Sequence, residues 1–304
     1  MIQVTLMVCS ISSRAATPKA TKGCLLPCII ETLSILGFMI DITEDSHVHT
    51  NLCHHARGEM EEYVQAAIER GLRRLVFLEH LEADITYFES TWLTDDDFDY
   101  YHEEGQRLKG KYSENIEIGL GVEVGYNPKG KEELLKRLSR HSWDRVGISY
   151  HFLETGSGHL NMVSRKQENI DALDQFGVEK VICMYYCGLR QAVEDIPGNL
   201  LCHLDAVLRH HPSIQFTDEH ERLIDDLLDA VARKNMAVEV NTSGYRLKNE
   251  PFPSRSFLNK AIKRGIPLVA GSDAHRPEDV GRYFDRLPGL IEDLVGSSQS
   301  AVDS

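Results

Sequence analysis

The chain has 304 residues, 42% of them hydrophobic and 26% charged, and a formal net charge of -14. That length and balance fit a globular protein of one large domain or two small ones, and the acidic surplus argues against nucleic acid or an anionic membrane as partner. Seven cysteines without a CxxC pair suggest neither a disulfide framework nor a zinc ribbon, and they fit a reducing, cytoplasmic setting.

In chain order, residues 1–38 read as an extension outside the fold. MIQVTLMVCSISSRAATPKATKG has no regular hydrophobic period, and CLLPCIIETLSILGFMI is broken by Pro27 and Glu31. The run is too short and too interrupted to span a membrane and lacks the marks of a secretory signal. Met39 is a second candidate start, because patterned sequence begins there with MIDI. Seven short apolar runs follow as predicted strands: MIDI, RLVFLEH, IEIGLGVEV, WDRVGISYH, GNLLCHLD, MAVEVN and IPLVAGSDAH. Helical periodicity fills the gaps, at 59–71, 131–141, 218–235 and 254–265, and Gly71 and Gly265 sit where a helix ends. The domain is expected over 39–290, with 291–304 a solvated tail.

Strand and helix in alternation imply a parallel sheet with helical crossovers, and seven units point to a (β/α)7 TIM-like barrel lacking one unit. An open doubly wound sheet is the alternative, weakened because no Gly-rich phosphate loop follows any strand.

What stands at the strand ends carries the chemistry. The first is followed by His47, His49 and His55, the second ends at His80, the third at Glu123, the fourth at His151 and the fifth at His203. The sixth ends at Asn241 and the seventh at Asp273 and His275. A parallel barrel gathers these ends on one rim. The HxH spacing turns His47 and His49 to one side of an extended segment. Seven imidazoles with one Glu and one Asp suit zinc, manganese or iron, and nine donors exceed one site, so two or three divalent ions are expected with Glu123 as the bridging carboxylate. Such ions promote phosphoester hydrolysis. Singly, each histidine is better explained by packing; the joint pattern is what decides. His102, His141, His159, His210, His211 and His220 read as surface residues, His54 is set aside in favour of His55 by position, and Cys53 and Cys202 read as small buried neighbours. The acidic run TDDDFDY reads as a loop and a helix start.

The order HxH, His, Glu, His, His, DxH resembles the polymerase-and-histidinol-phosphatase (PHP) superfamily. DSHVHTNLCHHARG, VFLEH, GVEVGY, ISYHFLE, CHLDAV, EVNTSGYR and VAGSDAHRPEDVG resemble its monofunctional histidinol-phosphate phosphatases, across residues 45–281. The resemblance implies a distorted seven-stranded barrel, a metal centre, and hydrolysis of L-histidinol phosphate in histidine biosynthesis. It implies one ion on His47, His49, Glu123 and Asp273, a second on Glu123, His151 and His203, and a third on His55, His80 and His275. Catalytic roles then fall to Asp273, His275 and Glu123, and phosphate contacts to Arg209 and Arg246. The pattern departs at Arg57, where the family often carries an acid. Residues 154–169 do not match family sequence and read as a substrate-covering loop, and Glu82, Asp84 and Tyr126 are candidate walls for a cationic substrate. Another small phosphomonoester or a nucleotide, and a metal-binding module without catalysis, are the competing readings.

Overall fold

Seven strands form one all-parallel sheet whose spatial order follows the chain: β1 (Glu44–Val48), β2 (Arg74–Leu81), β3 (Glu117–Gly125), β4 (Arg145–Ser149), then β7 (Leu200–Leu201), β8 (Ala237–Asn241) and β9 (Leu268–Gly271). Between β4 and β7 lies a small antiparallel hairpin, β5 (Phe152–Glu154) and β6 (His159–Asn161). This computed structural model describes residues 40–212 and 214–300; Met39 and the extension expected over 1–38 lie outside the described residues.

The sheet curls until its edges meet. Val48 and Ala274 pair in parallel, and the His49 amide donates to the Ala274 carbonyl at 2.9 Å. The result is a nearly closed seven-stranded barrel, not an open doubly wound sheet. Leu75, Val76, Phe77 and Leu78 of β2 are all fully buried, as expected of a strand covered on both faces.

The sequence places the first strand at MIDI, but the structure begins it at Glu44. Asp41 Oδ1 accepts the Thr43 amide at 2.8 Å and the Thr43 hydroxyl at 2.6 Å, and this side-chain turn ends any extended run there. The strand itself is EDSHV, with four of its five residues buried. Its polarity hides it from a hydrophobicity reading.

Helices α1 (Met60–Glu69), α2 (Asp95–Lys111) and α3 (Lys131–Leu138) cross over the first four strands. Then come α4 (Gln167–Phe176), α5 (Val178–Asp195), α6 (Asp218–Arg233), the short α7 (Tyr245–Lys248), α8 (Arg255–Lys263) and α9 (Leu287–Ser300). Met60, Tyr63, Val64 and Ala67 give α1 its buried stripe at helical spacing. TDDDFDY opens α2: Thr94 caps it through Asp97, while Phe98 and Tyr101 bury inward. Gly71 and Gly265 follow α1 and α8 with φ of +74° and +69°, the left-handed conformation that closes a helix.

Three expectations need correction. Residues 154–169 are not one loop: β5 and β6 pair there and α4 begins at Gln167, because the turn is closed by the Thr155 amide and hydroxyl donating to the Gly158 carbonyl. The boundary at 290 falls inside α9, whose Leu290, Ile291 and Leu294 are buried against the core. His220 is fully buried; it caps α6 by accepting the Thr217 amide at 3.1 Å and stands 3.0 Å from Glu179.

The β1–β9 seam depends on Asp45. Its carboxylate accepts the amides of Ser272 at 2.9 Å, Gly281 at 2.7 Å and His47 at 3.3 Å, stitching the first strand to the last. Burial pushes this carboxyl up, and the three amides pull it part of the way back. Asp45→Asn replaces an acceptor by a donor facing those amides. It is expected to cost about 3 kcal/mol in urea unfolding, whereas a loss below ~0.5 kcal/mol would show that the seam does not rest on this carboxylate.

Candidate active site

The carboxyl ends of the strands bring His47, His49, His80, Glu123, His151, His203 and Asp273 to one rim, and His55 and His275 stand at its outer edge. Glu123 lies at the centre. Its Oε1 is 2.8 Å from His203 Nε2 and 3.2 Å from His151 Nε2. Its Oε2 is 2.9 Å from His80 Nδ1, 3.5 Å from His47 Nε2 and 3.6 Å from His49 Nε2. The His80 contact follows from strand register, since His80 and Glu123 are direct partners across β2 and β3.

Asp273 Oδ1 is 3.4 Å from His49 Nε2 and 4.0 Å from His47 Nε2, so a second carboxylate approaches the same pair of nitrogens. The two Nε2 atoms of that pair are 2.9 Å apart. At the outer edge His275 Nε2 and His55 Nε2 are 2.8 Å apart, and each ring is fixed by its Nδ1, on the carbonyls of Asp273 and Cys53. His54 points outward, and Arg57 is exposed, so its charge is turned to solvent. Asp273 and His203 hold φ of +51° and +22°, left-handed values whose cost, of order 1–3 kcal/mol each, is typical of functional positions.

The electrostatics couple these groups. Burial pushes the Glu123 carboxyl up, but His151, His80 and His47 outweigh it and hold it well below the usual range. Asp273 is likewise held well below despite its burial, by His49, His47, His275 and Arg209. His151, depressed by burial, is carried up to about 10 by Glu123 and Glu82, and His47 is raised by Glu239 and Glu123. Burial and the neighbouring His49 push His80 down.

The donor set suits divalent cations. Groups of three ligand atoms within reach of one centre include His47, His49 and Asp273; His47, Glu123 and His203; and His49, His80 and His275. Glu123 Oε2 and His80 Nδ1 are buried and 2.9 Å apart, and neither has a well-aligned hydrogen-bond partner. Such atoms are costly unless a cation faces them.

Other residues fall differently. Arg209 is close, with Nη1 3.6 Å from Asp273 Oδ2 and its guanidinium over the Phe252 ring at 5.1 Å. Arg246 is half-exposed and its ion pair is with Asp279 at 3.6 Å. Asn241 turns its Oδ1 to the Ser243 amide and hydroxyl, capping a local turn. Tyr126 is buried and donates its hydroxyl to Asp195, and Asp84 is exposed. Cys53 and Cys202 are buried, in keeping with the sequence reading.

Three buried carboxylates behind the ring were not assigned this place from sequence. Glu239 Oε1 is 2.7 Å from His47 Nδ1, Glu82 Oε1 is 2.9 Å from His151 Nδ1, and Glu79 Oε2 is 3.7 Å from His49 Nδ1. Glu79 also accepts the amide and hydroxyl of Thr50 through Oε1. A signal was present: an acid inside an apolar strand run, as in RLVFLEH and MAVEVN, needs a buried partner.

Comparison with known proteins agrees with this geometry. The PHP domain family matches residues 45–243, and a PHP-associated family matches residues 259–294. The chain belongs to the PHP family. A Deinococcus radiodurans PHP relative described as a probable histidinol-phosphatase is 30% identical over 255 residues, covering 83% of this chain and 94% of that protein. The histidinol-phosphatase of Bacillus subtilis is 27% identical over 258 residues, covering 79% and 96%. Among solved structures, HisK of Listeria monocytogenes superimposes with a TM-score of 0.72 at 24% identity, covering 80% of this chain and 99% of that one. The histidinol phosphate phosphatase of Lactococcus lactis, solved with zinc, L-histidinol and phosphate, gives a TM-score of 0.64 at 21% identity, covering 83% and 93%. These two show that the barrel is the PHP fold.

Cations and protons compete for the same imidazole lone pairs. His47, His49 and His151 hold protons more tightly than free imidazole, so cation binding must expel them. Zinc uptake by the chelator-stripped protein near neutral pH is therefore expected to release roughly two to three protons per chain. Calorimetry in two buffers of different ionisation enthalpy reads that number, and zinc affinity should weaken on acidification. Uptake without proton release would contradict this electrostatic picture.

Proposed function

We infer that this chain is a metal-dependent phosphatase that hydrolyses L-histidinol phosphate to L-histidinol and phosphate, a step of histidine biosynthesis. The observation that carries it is the meeting at one rim of seven imidazoles with the carboxylates of Glu123 and Asp273, in a PHP chain similar along most of its length to histidinol-phosphatases.

His47, His49, Glu123 and Asp273 would hold one divalent ion, Glu123, His151 and His203 a second, and His55, His80 and His275 a third. Zinc, manganese or iron fits this nitrogen and oxygen set. Bound ions would supply Lewis acidity, acidifying water and neutralising phosphoryl charge. Glu123 would contribute to both the first and the second of these ions. Arg209, held by Asp273 and the Phe252 face, presents a planar fork to a phosphoryl oxygen. Arg246, half-exposed and paired with Asp279, is the second candidate for phosphate contact. Asp273, whose Oδ1 lies 3.5 Å from His275 Nδ1, is a candidate carrier of a proton to the leaving oxygen. His275, beside it, is the alternative carrier.

The acidic balance supports a small substrate in preference to nucleic acid, and seven cysteines without a CxxC pair support a cytoplasmic setting. No helix among the described residues is long and apolar enough to cross a membrane.

The test is phosphate release from L-histidinol phosphate beside a panel of small phosphomonoesters, with zinc- or manganese-loaded and chelator-stripped protein. Histidinol phosphate should exceed the panel at least about a hundredfold in kcat/KM, and stripping should abolish turnover. Similar turnover across the panel would leave a phosphoesterase of another specificity, and no turnover in the loaded protein would overturn the catalytic reading. Arg209→Met is expected to lower kcat/KM by about 10²-fold; an unchanged value would remove Arg209 from the phosphate site.

A further inference from the structure

Glu82 and Glu239 share a feature that packing alone does not require. Each sits almost wholly buried, 2% and 0% exposed, and places one oxygen on the Nδ1 of a rim histidine. Each also lies against a glycine at the end of a neighbouring strand. A Cβ on Gly125, the last residue of β3, would fall 1.9 Å from Glu82 Oε1 and 2.1 Å from its Cδ. A Cβ on Gly271, the last residue of β9, would fall 2.2 Å from Glu239 Oε1 and 3.0 Å from His47 Cβ.

Neither glycine adopts a positive φ, so the backbone does not demand one. What both positions demand is space, and in both the space is filled by a carboxylate. The two glutamates come from different strand regions, Glu82 just past β2 and Glu239 within β8. The same device has thus been built twice around one rim.

We propose that Glu82 and Glu239 are positioning residues for His151 and His47, and that Gly125 and Gly271 are glycine to admit them. By accepting the Nδ1 proton, each carboxylate fixes the tautomer that leaves the Nε2 lone pair directed at Glu123. His151 Nε2 then stands 3.2 Å from Glu123 Oε1, and His47 Nε2 stands 3.5 Å from Oε2. Glu239 reaches further, because its second oxygen accepts the His203 amide at 2.9 Å and so sets the backbone of another rim histidine. A carboxylate on the far nitrogen raises the basicity of a ligating imidazole and holds its ring, and losing one typically weakens metal binding 10–100-fold. The inference rests on the metal-site reading above and adds which residues set its geometry.

The experiment measures zinc affinity and the visible spectrum of the cobalt-substituted protein for the parent, Glu82→Gln, Glu239→Gln, Gly125→Ala, Gly271→Ala and the pairs Glu82→Gln/Gly125→Ala and Glu239→Gln/Gly271→Ala. Each single variant should lose roughly 10–100-fold in zinc affinity with a shifted cobalt spectrum. Each pair should be no worse than its weaker member, because both changes remove the same contact. Parent-like affinity and spectra in the glutamine variants would overturn the proposal, as would glycine and glutamate effects that multiply. If an alanine variant fails to fold, the nearly isosteric glutamine variants decide on affinity alone. A parent that binds no zinc would instead defeat the metal-site reading, a separate result.

Discussion

Everything about this fold is arranged around buried negative charge at one rim of a barrel. Asp45, Glu79, Glu82, Glu123 and Glu239 are each at most 2% exposed, and Asp273 is nearly so. An ionised carboxylate buried without compensation costs several kcal/mol. Here each is met by amides, imidazoles or Arg209, and the imidazoles in turn face one another closely enough to share cations. Remove the cations or protons, and the ring of Nε2 atoms around Glu123 is left with lone pairs pointing at carboxylate oxygens.

That constraint explains features of the fold that hydrophobic packing does not. The barrel has to close, because the histidine pair on β1 and the Asp273–His275 pair after β9 lie on opposite sides of its seam. The closure is made by a carboxylate, Asp45, and not by a long ladder of strand hydrogen bonds. Strand β2 shows the same logic in register: His80 stands opposite Glu123, while Glu79, one residue earlier, turns to Thr50 and His49. Successive side chains of a strand point to opposite faces, yet both residues serve the rim because the strand is ending there.

The seven-unit alternation was legible because parallel strands buried on both faces read as short apolar runs. The rim was legible because ionisable residues are rare at the ends of such runs. Strand β1 was misplaced for the complementary reason: EDSHV carries buried polar residues, so hydrophobicity pointed to MIDI, which Asp41 turns instead. Glu239 was passed over because an acid in mid-strand identifies a buried partner only once the neighbouring strand is known. His220 looked like a surface residue because its segment, DEHER, is polar; its burial comes from capping α6. The β5–β6 hairpin is three residues a side, too short for periodicity to register. Arg209 and Arg246 were equal candidates in sequence, and only packing against Phe252 and Asp273 separates them.

The central claim is that the rim holds a cluster of divalent cations bridged by Glu123. Anomalous diffraction from crystals of the zinc-loaded protein, recorded across the zinc absorption edge, tests this most directly. The account requires two or three peaks within coordination distance of the rim histidines, at least two of them flanking the Glu123 carboxylate. A rim without anomalous signal in protein that carries zinc elsewhere would contradict it.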